Sequence, residues 1–177
     1  VASLSGDEKM IKSFNTGEDI HARTAAEIFN KKLEEVTKSE RRKAKEVNFG
    51  VIYGLGARGL SQRTDMNHTQ AKEFIDRYFD LYQSVKKYLD KTKEFAHKNM
   101  YVQTLFGRRR YIAEINSGVQ MIQAASERIA INMPVQGTAA DLMKMAMIKI
   151  DRELPKISQE AKMLLQVHDE VVLEVPM

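Results

Sequence analysis

The 177-residue sequence predicts an α+β fold that is mostly helical. Two observations carry the prediction. Apolar residues recur at helical spacing over a long stretch: Phe74, Ile75, Tyr78, Phe79, Tyr82, Val85, Leu89, Phe95 and Ala96. Strand-like runs are confined to two short pairs, one around Gly107 and one around His168-Asp169-Glu170.

The elements follow in order. Asp7 is placed to cap a short helix through Phe14, and Asn15-Thr16-Gly17 breaks it. Glu18 to Phe29 reads as a second helix, with Ile20, Ala25, Ile28 and Phe29 apolar. Ser39 is the expected cap of a third, which runs to about Tyr53 and stops at Gly54-Leu55-Gly56. A short helix is expected near Gly59 to Thr64, and Asn67 or Thr69 opens the long apolar-striped stretch to Asn99, with a bend at Gln83-Ser84. Tyr101–Leu105 and Arg110–Ile112 pair as a hairpin around Gly107. Val119 to Met133 is helical and bounded by Pro134; a separate helix runs from Thr138 to Leu154 and ends at Pro155. Its Met143, Met145 and Met147 are expected in the core, as is the Tyr and Phe stripe of residues 74–95. Met163–Val167 and Val171–Val175 form the last hairpin, joined by His168-Asp169-Glu170 as a tight turn. Such a hairpin is marginal alone, so its sheet is expected to be incomplete here.

The composition narrows the function classes. The chain is 43% hydrophobic and 29% charged, enough to bury a core. No stretch approaches the roughly 20 apolar residues of a membrane span, and no signal peptide is visible. The start at Val1, without Met, reads as a cut end. No cysteine is present, which removes disulfides and thiolate metal sites and suits a cytoplasmic protein. The net charge of +4 mildly favours a polyanionic partner. Cations cluster at Lys38 to Lys45 and at Arg108-Arg109-Arg110, the latter a weak phosphate candidate.

Arg41, Lys45, Phe49 and Tyr53 recur every four residues. On a helix each such step drifts only about 40°, so two cations and two rings form one slowly winding stripe. A stripe of this kind suits a ligand with a polyphosphate at one end and a planar ring at the other. Taken alone, it is better read as an amphipathic helix with its rings in the core and its cations in water.

The surrounding string decides between the two. Arg41-Arg42-x-Ala44-Lys45-x-x-Asn48-Phe49-Gly50-x-x-Tyr53-Gly54 resembles the fingers-helix motif of the DNA polymerase I family (family A DNA polymerases). Gly17-Glu18-Asp19-Ile20-His21 with Thr24-Ala25-Ala26-Glu27 resembles the segment before that helix. Glu127-Arg128-x-Ala130-x-Asn132-x-Pro134-x-Gln136-Gly137-Thr138-Ala139-Ala140-Asp141 resembles the primer–template motif. Gln166-Val167-His168-Asp169-Glu170 resembles the last palm motif. Four motifs in register over nearly the whole chain are highly specific.

The resemblance implies fingers helices with part of an antiparallel palm sheet. It divides the chain into a palm-derived segment (1–17), fingers (18–115) and partial palm (116–177). It implies that Arg41, Lys45 and His21 hold the triphosphate of a deoxynucleoside triphosphate, that Phe49 lies against its sugar and base, and that Tyr53 sits beside the templating base. Arg128, Asn132 and Gln136 would contact primer–template DNA, with Gln136 placed past Pro134 at the next bend. Their donors suit the minor-groove acceptors that all base pairs share. His168 would touch the primer end, Asp169 would bind one of two Mg²⁺ ions, and Glu170 would serve as a secondary carboxylate. Lys45, Asp169 and Glu170 are thus the implied catalytic residues, and a monomer is expected.

The sequence also departs from a complete polymerase. The motif carrying the other catalytic aspartate would end just before Val1, so the isolated 177 residues are expected to be inactive. Two alternatives remain at this point. One is a non-catalytic nucleic-acid or nucleotide binding module. The other is a single-subunit phage-type RNA polymerase, against which Asn48-Phe49-Gly50 argues.

Overall fold

The computed structural model describes residues 1–176, apart from the Ile52 side chain. Eight α-helices, two short 3₁₀ helices (Leu33–Glu35 and Ala113–Asn116) and two antiparallel hairpins are the regular elements of the described residues. Helix α1 (Ala2–Ser5) ends at Gly6, and α2 (Glu8–Asn15) starts under Asp7, whose Oδ1 accepts from Met10 N. Helix α3 (Ile20–Phe29) begins two residues later than expected. Asp19 is its cap and accepts from the N–H groups of His21 and Ala22, so Glu18 lies outside.

Helix α4 (Lys38–Ile52) is capped by Thr37, not Ser39. Thr37 Oγ1 accepts from Glu40 N while Glu40 Oε2 accepts from Thr37 N, a reciprocal capping box that Ser39 has no acidic partner to make. Lys31 ties the same carboxylate to the preceding segment at 2.7 Å and, with the Thr37 hydrogen bonds, lowers the Glu40 pKa to about 2. Helix α5 (Ala57–Ser61) starts two residues before the expected Gly59 and stops three before Thr64. Asn67 opens α6 (His68–Leu81) through a second capping box with Gln70. The break before α7 (Gln83–Asn99) falls at Tyr82, one residue before the predicted bend.

Strand β1 (Tyr101–Gln103) stops two residues short of the expected Leu105, and β2 (Arg109–Tyr111) is shifted back by one residue, taking in Arg109 and leaving out Ile112. The largest revision concerns α8, which runs unbroken from Gln120 to Ile157 with Pro134 and Pro155 inside it. An internal proline removes one helical hydrogen bond and costs about 3 kcal/mol in an exposed helix. Tertiary contacts on both sides of Pro134 override that. Ala130 and Met133 are buried in a core with Val102, Ile112 and Ile115. Beyond the proline, Thr138 Oγ1 accepts from Leu105 N at 3.0 Å, and Arg108 binds Asp141 at 2.7 Å and the Gly137 carbonyl at 2.9 Å. The β1–β2 hairpin thus clamps α8 across its weak point.

The main core joins α3, α4, α5, α6 and α7 through Ala25, Ile28, Val47, Leu60, Phe74, Tyr78, Tyr82, Val85 and Leu89. The aromatic stripe is core as expected up to Tyr82, whereas Phe95 is exposed and packs edge-on against Tyr101. The methionine stripe is not core: Met145 is exposed, Met143 and Met147 are only half-buried, and Leu142 and Ile148 face outward beside them. Strands β3 (Lys162–Val167) and β4 (Glu170–Glu174) pair only with each other among the described residues. Their turn is two residues long, His168 and Asp169, since Val167 pairs with Glu170. Glu170 is therefore the first strand residue and not part of the turn. His168 takes φ 53°, the positive φ that short hairpin turns require at their first position.

Candidate nucleotide-binding face

Helix α4 buries Ala44, Val47, Asn48 and Val51 and turns the predicted stripe outward. Phe49 is 49% exposed and Tyr53 40%, so the rings are not core residues. Lys45 and Arg41 are exposed on the same face. Lys45 Nζ stands 6.0 Å from the Phe49 ring centre. His21, from the first turn of α3, lies against the other side of this cluster, 5.5 Å from Phe49 between ring centres. The structure thus brings together four of the predicted residues, and Tyr53 closes the stripe as the C-cap of α4.

Arg41 is engaged: its Nε donates to Asp19 Oδ2 at 2.6 Å. Partial burial pushes the Asp19 carboxyl up, but the Arg41 hydrogen bond and the two α3 N–H groups outweigh it and hold it below the usual carboxylate range. Burial lowers the His21 pKa; Asp19 opposes the shift, and Arg41 and Lys45 add to it. His21 is therefore a neutral imidazole at neutral pH.

Arg128, Asn132 and Gln136 all lie on α8, and its continuity revises the place of Gln136. It does not sit past a bend but one further helical step along the same face. Gln136 Nε2 donates to Tyr53 Oη at 2.8 Å, which links the end of the stripe to this second face. Gly54 makes the approach possible. Its φ is 71°, and a Cβ there would stand 2.7 Å from Arg128 Cγ and 3.1 Å from Ile131 Cδ1. Between the two faces lies a cleft of about 540 Å³, bordered by Phe49, Tyr53, Arg63 and Arg128 and floored by glycines. Asn132 Oδ1 is buried without a hydrogen-bond partner among the described residues.

The hairpin residues stand apart. His168, Asp169 and Glu170 are exposed, and the Gln166 side chain donates to the His168 carbonyl. Adjacent carboxylates are hard oxygen donors of the kind Mg²⁺ takes. Among the described residues, however, no third acidic or histidine side chain joins them, so the donor set present suits a share of a metal site and not a whole one. The basic turn is largely structural: Arg108 holds α8, and Arg109 stacks 4.6 Å over the Tyr101 ring.

The residues that sequence reasoning left without a role are Thr24, Asn48 and Tyr82 behind His21, and Arg63 in the cleft. Asn48 did carry a signal, as a polar residue on the otherwise apolar face of α4.

The fold and this face define a class. Residues 1–177 match the family model described as DNA polymerase family A, and the chain belongs to that family. It is 50% identical over 176 residues to the thermostable DNA polymerase I of Thermus thermophilus, covering 99% of this chain and 21% of that protein. It is 47% identical over 177 residues to DNA polymerase I of Streptococcus pneumoniae, covering 99% of this chain and 20% of that protein. The chain therefore spans about a fifth of the length of these relatives. Among solved structures it is similar to the POL domain of Pol1 from M. smegmatis in complex with DNA primer-template and dNTP. That match has a TM-score of 0.91 and 41% identity, over 98% of this chain and 31% of that one.

Proposed function

We propose that this chain is the nucleotide-gripping and primer–template-binding part of a DNA-directed DNA polymerase acting in replication or repair. The observation that carries the reading is the outward stripe of α4 with His21 beside it. Arg41 and Lys45 bind triphosphate oxygens, Arg by its planar fork and Lys as a compact charge. Phe49 offers a face to the sugar and base, and Tyr53 borders the cleft where a templating base fits. Arg128, Asn132 and Gln136 line one face of α8 and contact the primer–template minor groove, with His168 at the primer end.

Asp169 contributes a carboxylate to Mg²⁺, with Glu170 beside it. Bound Mg²⁺ supplies charge neutralisation at the transferred phosphoryl group and activation of the primer 3′-hydroxyl. In this division residues 1–17 are palm-derived, 18–115 form the fingers and 116–177 part of the palm; Met177 lies outside the described residues.

One observation favours a second reading, a binding module without turnover: Asp169 and Glu170 find no further metal-capable group among the described residues. Primer extension separates the two. The 177-residue chain alone is expected to give no incorporation, and a longer polypeptide carrying an upstream Asp-Tyr-Ser-like segment is expected to extend. In that longer polypeptide Lys45→Ala should lower kcat/KM for nucleotide about ten- to a hundredfold, as loss of a hydrogen bond to a charged group implies. Unchanged kinetics would refute the phosphate role of Lys45. Robust Mg²⁺-dependent extension by the isolated chain would refute the binding-module reading.

A further inference from the structure

Behind His21 lies a chain of buried polar groups that spans three elements. Thr24 on α3, Asn48 on α4 and Tyr82 between α6 and α7 are all buried. Thr24 Oγ1 is 2.7 Å from the Ile20 carbonyl, 3.0 Å from Tyr82 Oη and 3.2 Å from Asn48 Nδ2. Asn48 Nδ2 is also 2.9 Å from His21 Nδ1.

Counting protons gives each bond a direction. A threonine hydroxyl has one hydrogen and two lone pairs. The shortest contact takes the hydrogen, and a carbonyl only accepts, so Thr24 donates to Ile20. The competing acceptor, Asn48 Oδ1, is at 3.4 Å. Both Thr24 lone pairs then accept, one from Tyr82 O–H and one from Asn48 N–H. This turns the Asn48 amide nitrogen toward Thr24 and His21. Its second hydrogen can go only to His21 Nδ1, which must be a bare lone pair. The imidazole proton is left on Nε2, for which no protein partner is present among the described residues.

We infer that Asn48 is a positioning residue, which with Thr24 locks His21 as the Nε2–H tautomer and so makes it an obligate neutral donor at the nucleotide-binding face. The inference rests on the reading of that face proposed above. The two neutral tautomers differ sharply toward an anion: Nε2–H donates to a phosphate oxygen, whereas the other tautomer presents a lone pair that repels it. Protonation is disfavoured too, because an Nδ1–H would face the Asn48 N–H. Burial of the ring and the nearby Arg41 and Lys45 act the same way, against the single opposing carboxylate of Asp19. The arrangement adds a directed hydrogen bond to a site already holding two cations, without a third positive charge.

The test is imidazole ¹⁵N NMR on the 177-residue chain with labelled histidine, first without nucleotide. The expected wild-type spectrum shows His21 Nδ1 unprotonated and Nε2 protonated. Asn48→Asp replaces the N–H donor with an acceptor and should draw the proton to Nδ1. Thr24→Val removes the group that orients the amide and should mix the tautomers, and Thr24→Ser should restore the wild-type pattern. Tyr82→Phe removes a neighbouring hydrogen bond without changing the Asn48 amide and should leave the tautomer alone. A wild-type Nδ1–H tautomer, or one indifferent to both Asn48→Asp and Thr24→Val, overturns the inference; if Asn48→Asp does not fold, Thr24→Val and Thr24→Ser decide it.

Addition of dTTP then tests the underlying reading separately. His21 Nε2 should shift on binding, and Asn48→Asp should weaken dTTP binding about tenfold or more. A locked tautomer with no dTTP response leaves the positioning role standing and removes the phosphate contact.

Discussion

Gly54→Ala is the substitution whose cost the structure defines most closely. Gly54 has φ 71°, and left-handed backbone costs a residue with a Cβ about 1–2 kcal/mol. The new Cβ would lie 2.7 Å from Arg128 Cγ and 3.1 Å from Ile131 Cδ1, both closer than atoms pack. Overpacking of this kind costs about 1–3 kcal/mol. Stiffening of the unfolded chain returns about 0.4–1 kcal/mol. The expected loss is therefore about 1–5 kcal/mol, large against the roughly 5–15 kcal/mol typical of a folded domain. Urea denaturation measures it. The Arg128→Ala background separates the contributions, since it removes Cγ and leaves φ unchanged; there the loss should shrink by about 1 kcal/mol or more. A loss under about 0.5 kcal/mol, or an equal loss in both backgrounds, would refute the close approach of α8 to the end of α4.

Two further outcomes follow from the packing and the charges. Leu60 is fully buried in the main core, so Leu60→Ala should cost about 2–5 kcal/mol by the same assay. His97 bonds Asn116 Oδ1 at 2.7 Å and Glu127 Oε1 at 3.0 Å, and these two partners, in that order, raise its pKa above 6.5 against the desolvation and Lys93 that lower it. A raised folded value means the stabilisation is complete below the unfolded value and fades as pH rises through the folded one. The stability gap between wild type and His97→Ala should accordingly narrow as pH rises above about 6.5, and salt should reduce it, since the pair is only half-buried. A gap that widens with pH contradicts the bridge.

The helices were legible where local signals suffice. Asp7 caps where the sequence places a cap, and Asn67 rather than Thr69 opens α6, because each accepts from an N–H three residues on, a relation written in adjacent sequence. Thr37 displaced Ser39 for the same local reason, a glutamate three residues later, and the signal was there to be found. Pro134 marks a helix boundary by its local meaning, and that meaning is overridden from a distance: Leu105 and Arg108, about thirty residues earlier, hold the helix beyond it. The stripe on α4 was legible as a periodicity, but whether its rings faced core or solvent depended on which face Ala44 and Val47 buried. The polar chain behind His21 was invisible, because its members are joined across 24 and 58 positions of sequence.

The β3–β4 hairpin has a consequence for how the molecule opens. Its strands carry Leu164, Leu165, Val172 and Leu173 on the outside, and only Ala161 at its foot is buried. A two-stranded ribbon without a packed face gains little from cooperative melting of the main core. Its backbone amides should exchange with solvent through local fraying, long before those of α4 or α7. The candidate metal-binding carboxylates thus sit on a unit that should open early, and the candidate nucleotide-binding face on a helix packed into the main core.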